Sequence, residues 1–127
     1  MNKFDPKKIN PIYTTRGDVD AFILYPMLYN PIGEWIGWVT PKAEVYSVHG
    51  DYVGWLTEDP RILRKRTYDF SKPSMKPPAK PTKVLAPASV PLPPMMAELS
   101  FDTIDVLYDE PERLPTLDSG DALQDMD

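Results

Sequence analysis

A chain of 127 residues with 42% apolar residues is long enough for one small domain with extensions, but its 16 prolines cannot all lie inside regular secondary structure. The absence of cysteine excludes disulfides, thiolate metal sites and cysteine nucleophiles, and a single histidine, His49, argues against zinc sites and histidine-based triads. The net charge of −5 hides an asymmetry, because residues 61–83 hold eight basic residues and one acidic residue, whereas residues 98–127 hold ten acidic residues and one basic residue.

The first ten residues carry three lysines with no apolar segment behind them. No part of the chain approaches the run of about 18 apolar residues that spans a bilayer. We therefore expect a flexible N-terminus over residues 1–10, no membrane association, and a soluble protein in the cytoplasm.

Residues 11–70 repeat themselves at offsets of 16 and then 17 residues. In each copy a tyrosine is followed four residues later by a glycine, and five residues after that by a large aromatic residue. The three sets are Tyr13, Gly17, Phe22; Tyr29, Gly33, Trp38; and Tyr46, Gly50, Trp55. Such a period predicts a repeated supersecondary unit, and these landmarks are its structural core.

Each copy reads as a β-hairpin with a short first strand and a longer second strand. The glycines suit tight turns that need a positive φ, and prolines mark the joints between copies at Pro26, Pro41 and Pro60. Simple alternation in the second copy places Trp35, Gly37 and Val39 on one face and Ile36 and Trp38 on the other.

A fourth, degraded copy without its glycine is predicted from Arg61 to Phe70, since terminal repeats are commonly atypical. A lone hairpin is unstable in water, so the copies must share a core. The sequence thus predicts an all-β domain over residues 11–70, with four sequential β-hairpins closed around a pseudo-fourfold axis.

This pattern resembles the small four-fold β-flower proteins, which are named for four hairpin petals. The resemblance is carried by the Tyr-x-x-x-Gly steps at 13–17, 29–33 and 46–50 and by the Gly-Trp ends at 37–39 and 54–56. The first copy departs from it with Ala21-Phe22, and the fourth copy matches poorly. The resemblance implies a shape, often followed by a proline-rich run, and implies no activity, ligand or catalytic residue.

Residues 71–97 are proline-rich and predict an extended or polyproline II conformation. Pro78, Pro81 and Lys83 fit the proline-x-x-proline-x-basic pattern of ligands for polyproline-binding domains, so they are candidate partner-binding residues. The alternatives are a solvated linker or a strap laid over the repeat domain. The aliphatic side chains of Val84, Leu85, Val90 and Leu92 favour the strap.

Residues 98–109 form an apolar island in acidic surroundings, with Leu99, Phe101, Ile104, Leu107 and Tyr108 as further candidate partner-binding residues. A two-turn helix capped by Ser100 and a strand through Ile104, Val106 and Tyr108 fit nearly equally well. From Glu110 to Asp127, low hydrophobicity and negative charge predict a disordered acidic tail, whose aspartate spacing does not match a calcium-binding loop.

These features favour a non-enzymatic scaffold or protein-interaction module, with no catalytic residue, metal or cofactor. Its partner is another protein or a second copy, docked on the strap or on residues 99–108. One alternative is nucleic-acid binding by the basic run of residues 61–83, against which the overall acidity argues. Another is an enzyme with a site at the centre of the repeats. The Gly-Trp steps could also form an aromatic groove for polyproline ligands, although repeat-equivalent tryptophans more often form a core.

Overall fold

The computed structural model describes residues 8–70 and 74–117. Eight strands form one curled antiparallel sheet, in which the spatial order of the strands is their order in the chain. The strands are β1 (Asn10–Tyr13), β2 (Val19–Leu24), β3 (Met27–Tyr29), β4 (Trp35–Val39), β5 (Glu44–Ser47), β6 (Tyr52–Leu56), β7 (Ile62–Lys65) and β8 (Thr103–Asp105). A short helix α1 (Val106–Asp109) and a 3₁₀ turn (Pro111–Arg113) follow β8.

The repeated glycines close the turns of the first three strand pairs. Gly17, Gly33 and Gly50 have φ values of 90°, 88° and 90°, as predicted for turns that favour glycine. In each turn the glycine N–H donates to the backbone carbonyl three residues earlier over 2.9 Å. The side-chain oxygens of Thr14, Asn30 and Ser47 accept backbone N–H groups of the same turns, which explains the polar residue at this position of every copy.

A β-bulge recurs at one position of the repeat. The strand register shifts after Ile12 in β1, Leu28 in β3 and Val45 in β5. Leu28 lies opposite Gly37 and Tyr29 lies opposite Trp35, so Ile36 is an extra residue in β4. The prediction of simple alternation in β4 is therefore wrong, because the bulge reverses which face the side chains occupy.

Two apolar clusters result from this arrangement. The larger one contains apolar side chains from all eight strands, among them Leu28, Ile36 and Val39. It also contains residues of α1, and Leu114 from beyond the 3₁₀ turn. The smaller one contains Tyr29, Trp35, Trp38 and Val48. Of the aromatic landmarks, Tyr13, Phe22, Tyr29 and Trp38 are buried, whereas Tyr46 and Trp55 are only half-buried.

The fourth strand pair differs from the prediction. β7 pairs with β8, with Leu63 opposite Asp105 and Arg64 opposite Ile104, so the second strand comes from residues 103–105. The prediction of a hairpin complete within residues 61–70 is wrong. Those residues lack a turn glycine, whereas Ile104 supplies a buried apolar side chain to the larger cluster.

The segment that follows combines both structures predicted for it. Residues 103–105 are a strand and residues 106–109 a helix, capped by Asp105, whose carboxylate accepts the Tyr108 N–H, and not by Ser100. The prediction of disorder from Glu110 onward is wrong for residues 110–117, because Leu114 is buried in the larger cluster. The acidic segment 118–127 and residues 1–7 of the predicted flexible N-terminus lie outside the described residues, as do residues 71–73.

Candidate partner-binding surface

The proline-rich segment (residues 74–97) contacts the turn glycines at intervals of nine residues. The Met75 N–H donates to the Gly50 carbonyl over 2.9 Å, and the Val84 N–H donates to the Gly33 carbonyl over 3.1 Å. Nine residues later, the Pro93 ring lies against Gly17, with its Cγ 3.3 Å from the position of an added Cβ. The segment therefore passes the third, second and first hairpins in turn.

A fourth contact keeps the same interval. The carbonyl of Asp102, nine residues after Pro93, accepts the Arg66 N–H over 2.7 Å at the end of the β7–β8 pair. The contact residues at positions 75, 84 and 93 thus meet the three hairpin turns, and residue 102 joins the sheet at the same interval.

Pro93 has no N–H to donate, and a tyrosine compensates at this contact. The Tyr13 hydroxyl donates to the Pro91 carbonyl over 2.6 Å. Tyr13 is buried, and that burial raises the pKa of its hydroxyl. The first tyrosine landmark of the repeat thus holds the proline-rich segment as well as packing in the sheet.

The last part of the segment is held by Arg61, whose side chain is buried at 1% exposure. Its guanidinium pairs with Asp59 at 2.6 Å and donates to the Ala97 carbonyl over 2.8 Å. Burial alone would raise the pKa of Asp59, but the hydrogen bonds from Arg61 and Thr57 and the Arg61 charge outweigh it and hold that pKa below its ordinary value.

The basic run of residues 61–66 is engaged within the molecule. Arg64, at 2% exposure, pairs with Glu110 at 2.9 Å and lies 4.6 Å from the centre of the Phe70 ring. Lys65 pairs with Asp102 at 3.1 Å, and the Arg66 side chain donates to the Phe101 carbonyl over 3.0 Å. All four cations therefore stabilise internal contacts of the described residues.

The predicted polyproline motif is partly covered by the domain itself. Pro78 and Pro81 are half-buried and Lys83 is exposed. Pro81 and Lys83 border a small cavity of about 90 Å³ together with Glu34 and Trp35. Domains that bind polyproline ligands also place an aromatic ring beside a proline. In this chain the proline, the lysine, the ring and the carboxylate all belong to one molecule.

The predicted island of residues 99–108 divides between core and surface. Ile104 and Leu107 are buried in the larger cluster, so their assignment to a partner surface is wrong for the folded protein. Phe101 is 88% exposed and Tyr108 50% exposed, while Leu99 is half-buried. The pairing of residues 103–105 with β7 and the start of α1 at Val106 explain the burial, because they place Ile104 and Leu107 in the larger cluster.

The most exposed apolar side chains lie on the proline-rich segment. Leu85 and Leu92 are each 90% exposed, and Met95 is 99% exposed. The prediction that Leu85 and Leu92 hold the strap on the domain is wrong, because Val84 makes that contact and packs against the smaller cluster. Nothing in the composition of the segment distinguishes Val84 from Leu85; only the contact of residue 84 with Gly33 does.

A groove lies where the end of the proline-rich segment meets the β6–β7 turn. It has a volume of about 530 Å³, and its apolar lining includes Trp55, Leu63, Met95 and Leu99. Glu58 and Glu98 line it as well, and both residues are exposed. We refer to it as the Trp55 groove. The sequence favoured a core position for Trp55 over the alternative of an aromatic groove at the Gly-Trp steps, but Trp55 is only half-buried.

Two absences among the described residues bear on the kind of site. Within residues 8–70 and 74–117, no group of three or more His, Asp or Glu side chains is arranged to hold a metal ion. None of the helices in the described part of the chain has the length and apolar character needed to cross a membrane.

Comparison with known proteins identifies a family. The sequence model of a family described as "4-fold beta flower protein" matches residues 10–106, which include all eight strands and the proline-rich segment between β7 and β8. No curated protein and no solved structure matches the chain.

Proposed function

The chain belongs to the 4-fold beta flower family, and from that premise we propose that it is a non-enzymatic scaffold whose protein partners dock on the outer face of the proline-rich segment. The family description names a shape and no activity, so the proposal rests on the surface. The observation that carries it is the exposure of Leu85, Leu92 and Met95 at 90%, 90% and 99%. A contiguous exposed apolar patch is typical of a surface that binds a partner, and we propose that these side chains contribute to one.

The hydrogen bonds of the segment support this proposal. Because Met75, Val84, Pro91 and Ala97 are held by the sheet, the backbone between them is already restrained. A partner that binds Leu92 therefore meets a ligand that has lost much of its conformational entropy before binding. Phe101, which lies beyond the segment and is 88% exposed, extends the same kind of surface.

We also infer that the four strand pairs close around a pseudo-fourfold axis, with the proline-rich segment as a strap around them and an acidic tail beyond. The nine-residue interval of the four contacts supports this arrangement. So does the contact between the two ends of the sheet, where the Thr15 N–H and hydroxyl donate to the Asp105 carboxylate over 2.6 and 2.7 Å.

The two alternative functions have less support. Nucleic-acid binding would need cations that are free to meet phosphates, and Arg61 and Arg64 are buried in internal ion pairs. Exposed lysines at 76, 80 and 83 remain for such a role. An enzyme would need converging polar groups at the centre of the sheet, where the larger cluster is apolar.

Site-specific photo-crosslinking tests the proposal. We would place p-benzoylphenylalanine at Leu85 or Leu92 in the full-length protein, with Lys42, which is exposed on the β4–β5 turn, as the matched control position. We expect a discrete protein adduct at both leucine positions, displaced by excess unmodified protein and absent at position 42. An adduct sensitive to nuclease, or equal labelling at all three positions, would overturn the proposal, and an adduct of twice the mass of the chain would identify the partner as a second copy.

A further inference from the structure

We propose that the Trp55 groove binds an extended peptide segment of another protein in which an apolar side chain is flanked by lysine or arginine. This inference rests on the proposed role as an interaction module and adds a groove with a defined ligand chemistry, which shares Met95 with the outer face of the proline-rich segment. The groove, with a volume of about 530 Å³, is open to the surface, so it suits an extended segment that lies across it.

The groove exists because the third copy of the repeat lacks an aromatic partner. Trp38 lies opposite Tyr46 in the sheet, and their rings stack with centroids 5.3 Å apart. Phe22 likewise lies opposite Tyr29. At the equivalent position Trp55 lies opposite Leu63, and no ring among the described residues packs on Trp55.

The walls of the groove are fixed. Asp59 and Arg61 both bond to Ala97, with the Ala97 N–H donating to the Asp59 carboxylate over 3.4 Å and the Ala97 carbonyl accepting from Arg61 over 2.8 Å. These bonds join the β6–β7 turn to the proline-rich segment, so the space between them is present before a ligand arrives. A preformed groove whose lining includes a tryptophan and other apolar side chains suits an apolar anchor residue in peptide recognition.

Charge selects the ligand. Glu58 and Glu98 are exposed, and within the described ranges neither forms an ion pair. The one cation that lines the groove, Arg61, is buried and paired with Asp59. A cationic segment is therefore favoured and an anionic one disfavoured.

The remaining polar groups of the groove do not favour a different ligand. The hydroxyls of Thr57, Ser100 and Thr103 already take part in hydrogen bonds within the chain. A second copy of the protein is a poorer occupant, because a twofold contact would bring Glu58 and Glu98 of both copies together. An apolar side chain with basic neighbours satisfies both the tryptophan face and the carboxylates.

Nuclear magnetic resonance titration of the full-length protein tests this assignment. The probes are three acetylated and amidated pentapeptides, Arg-Lys-Leu-Lys-Arg, Glu-Glu-Leu-Glu-Glu and Arg-Lys-Ser-Lys-Arg, and the readout is the indole N–H signal of Trp55, assigned from a Trp55→Phe variant. We expect a saturable shift with the first peptide and at least about tenfold weaker binding of the other two, which corresponds to about 1.4 kcal/mol.

Charge variants provide the matched control. The double variant Glu58→Gln/Glu98→Gln is expected to bind the first peptide about tenfold more weakly and with less dependence on salt. Glu112→Gln alters an exposed carboxylate on the 3₁₀ turn and is expected to leave the affinity unchanged. No saturable shift up to millimolar peptide, equal binding of the acidic peptide, or equal binding by the double variant would each overturn the assignment, whereas the crosslinks at Leu85 and Leu92 would be unaffected.

Discussion

The backbone of Val84 lies directly against Gly33. The Val84 N–H donates to the Gly33 carbonyl over 3.1 Å, and a Cβ added to Gly33 would lie 1.8 Å from the Val84 carbonyl oxygen. Gly33 also has a φ of 88°, which disfavours any residue with a side chain. One glycine therefore serves two purposes, as the turn of the β3–β4 hairpin and as the contact for the proline-rich segment.

Replacing that glycine should release the segment as well as strain the turn. We expect Gly33→Ala to lower the free energy of unfolding by about 1–2 kcal/mol for the left-handed backbone, and by roughly 1 kcal/mol more for the lost hydrogen bond to Val84. Urea denaturation measures the total. Hydrogen exchange measured by mass spectrometry should show faster exchange of the Val84 amide.

The matched control is Gly17→Ala. Gly17 has a φ of 90°, so the turn strain is the same, but the nearest atom to an added Cβ is the Pro93 Cγ at 3.3 Å. Gly17→Ala should therefore lower the free energy of unfolding only by the cost of the strained turn, and the Val84 amide should not exchange faster. Equal losses of stability in the two variants, with unchanged exchange at Val84, would show that the contact with Val84 contributes nothing.

The hairpin turns could be predicted from the sequence because their cause is local. Each turn glycine follows a Thr, Asn or Ser by three residues, and Gly17, Gly33 and Gly50 all have the predicted positive φ. The tyrosine four residues before each glycine recurs at the same offsets and so indicates the length of the repeat. These features need no knowledge of what the chain meets elsewhere.

The bulge at Ile36 could not be predicted, because it depends on the partner strand. Alternation along β4 alone separates Ile36 from Val39, yet both lie in the larger cluster. The source of β8 was also missed, since the strand that completes the fourth pair begins 38 residues after β7 ends, at Thr103. A local pattern cannot specify a pairing across such a separation.

The partner-binding candidates were misjudged for a related reason. Leu85 and Val84 are equivalent in composition, and only the contact of Val84 with the sheet leaves Leu85 exposed. The Trp55 groove arises from the residue opposite it, Leu63, in the place where another copy has a tyrosine. Comparing the copies at that position would have predicted the missing ring.

The hydroxyl of Tyr13 is the second contact that can be tested singly. We expect Tyr13→Phe to lower the free energy of unfolding by about 1 kcal/mol, because the 2.6 Å hydrogen bond to the Pro91 carbonyl is lost while the ring stays in place. Tyr29→Phe is the control, since Tyr29 occupies the equivalent position of the next copy and its hydroxyl makes no hydrogen bond to the described residues. A smaller loss for Tyr13→Phe than for Tyr29→Phe would contradict the assigned bond.

The ion pair between Arg64 and Glu110 predicts a loss of stability in acid. The hydrogen bond from Arg64 is the main cause that lowers the pKa of Glu110 below its ordinary value of 4.5, against a smaller opposing effect of burial. A lowered carboxyl pKa means that the stabilisation is complete above pH 4.5 and is lost as the pH falls through the folded-state value. The free energy of unfolding, measured by urea denaturation between pH 7 and pH 3, should decrease less with falling pH for Glu110→Gln than for the unaltered protein. An equal pH dependence of the free energy of unfolding in the two proteins would show that the ion pair makes no pH-dependent contribution to stability.

For Asp20 we expect the opposite effect of acid on stability. It stands in the first bulge, where the other copies have the buried apolar residues Ile36 and Val53. Burial raises the pKa of Asp20 above its ordinary 3.8, with further contributions from Asp18 and Asp105, so its ionised form is disfavoured in the folded state.

Because the folded-state pKa is raised, ionised Asp20 lowers the stability at neutral pH, and this cost disappears as the pH falls below 3.8, where the carboxyl is protonated in both states. Asp20→Asn is therefore expected to increase the free energy of unfolding at pH 7 and to change it little at pH 3. Asp109→Asn makes the same replacement at an exposed position on α1 and should be neutral at both values. A gain for Asp20→Asn that is equal at pH 7 and pH 3 would trace to packing of the amide, and a loss at pH 7 would mean that the Asp20 carboxylate makes a favourable contact in the folded protein.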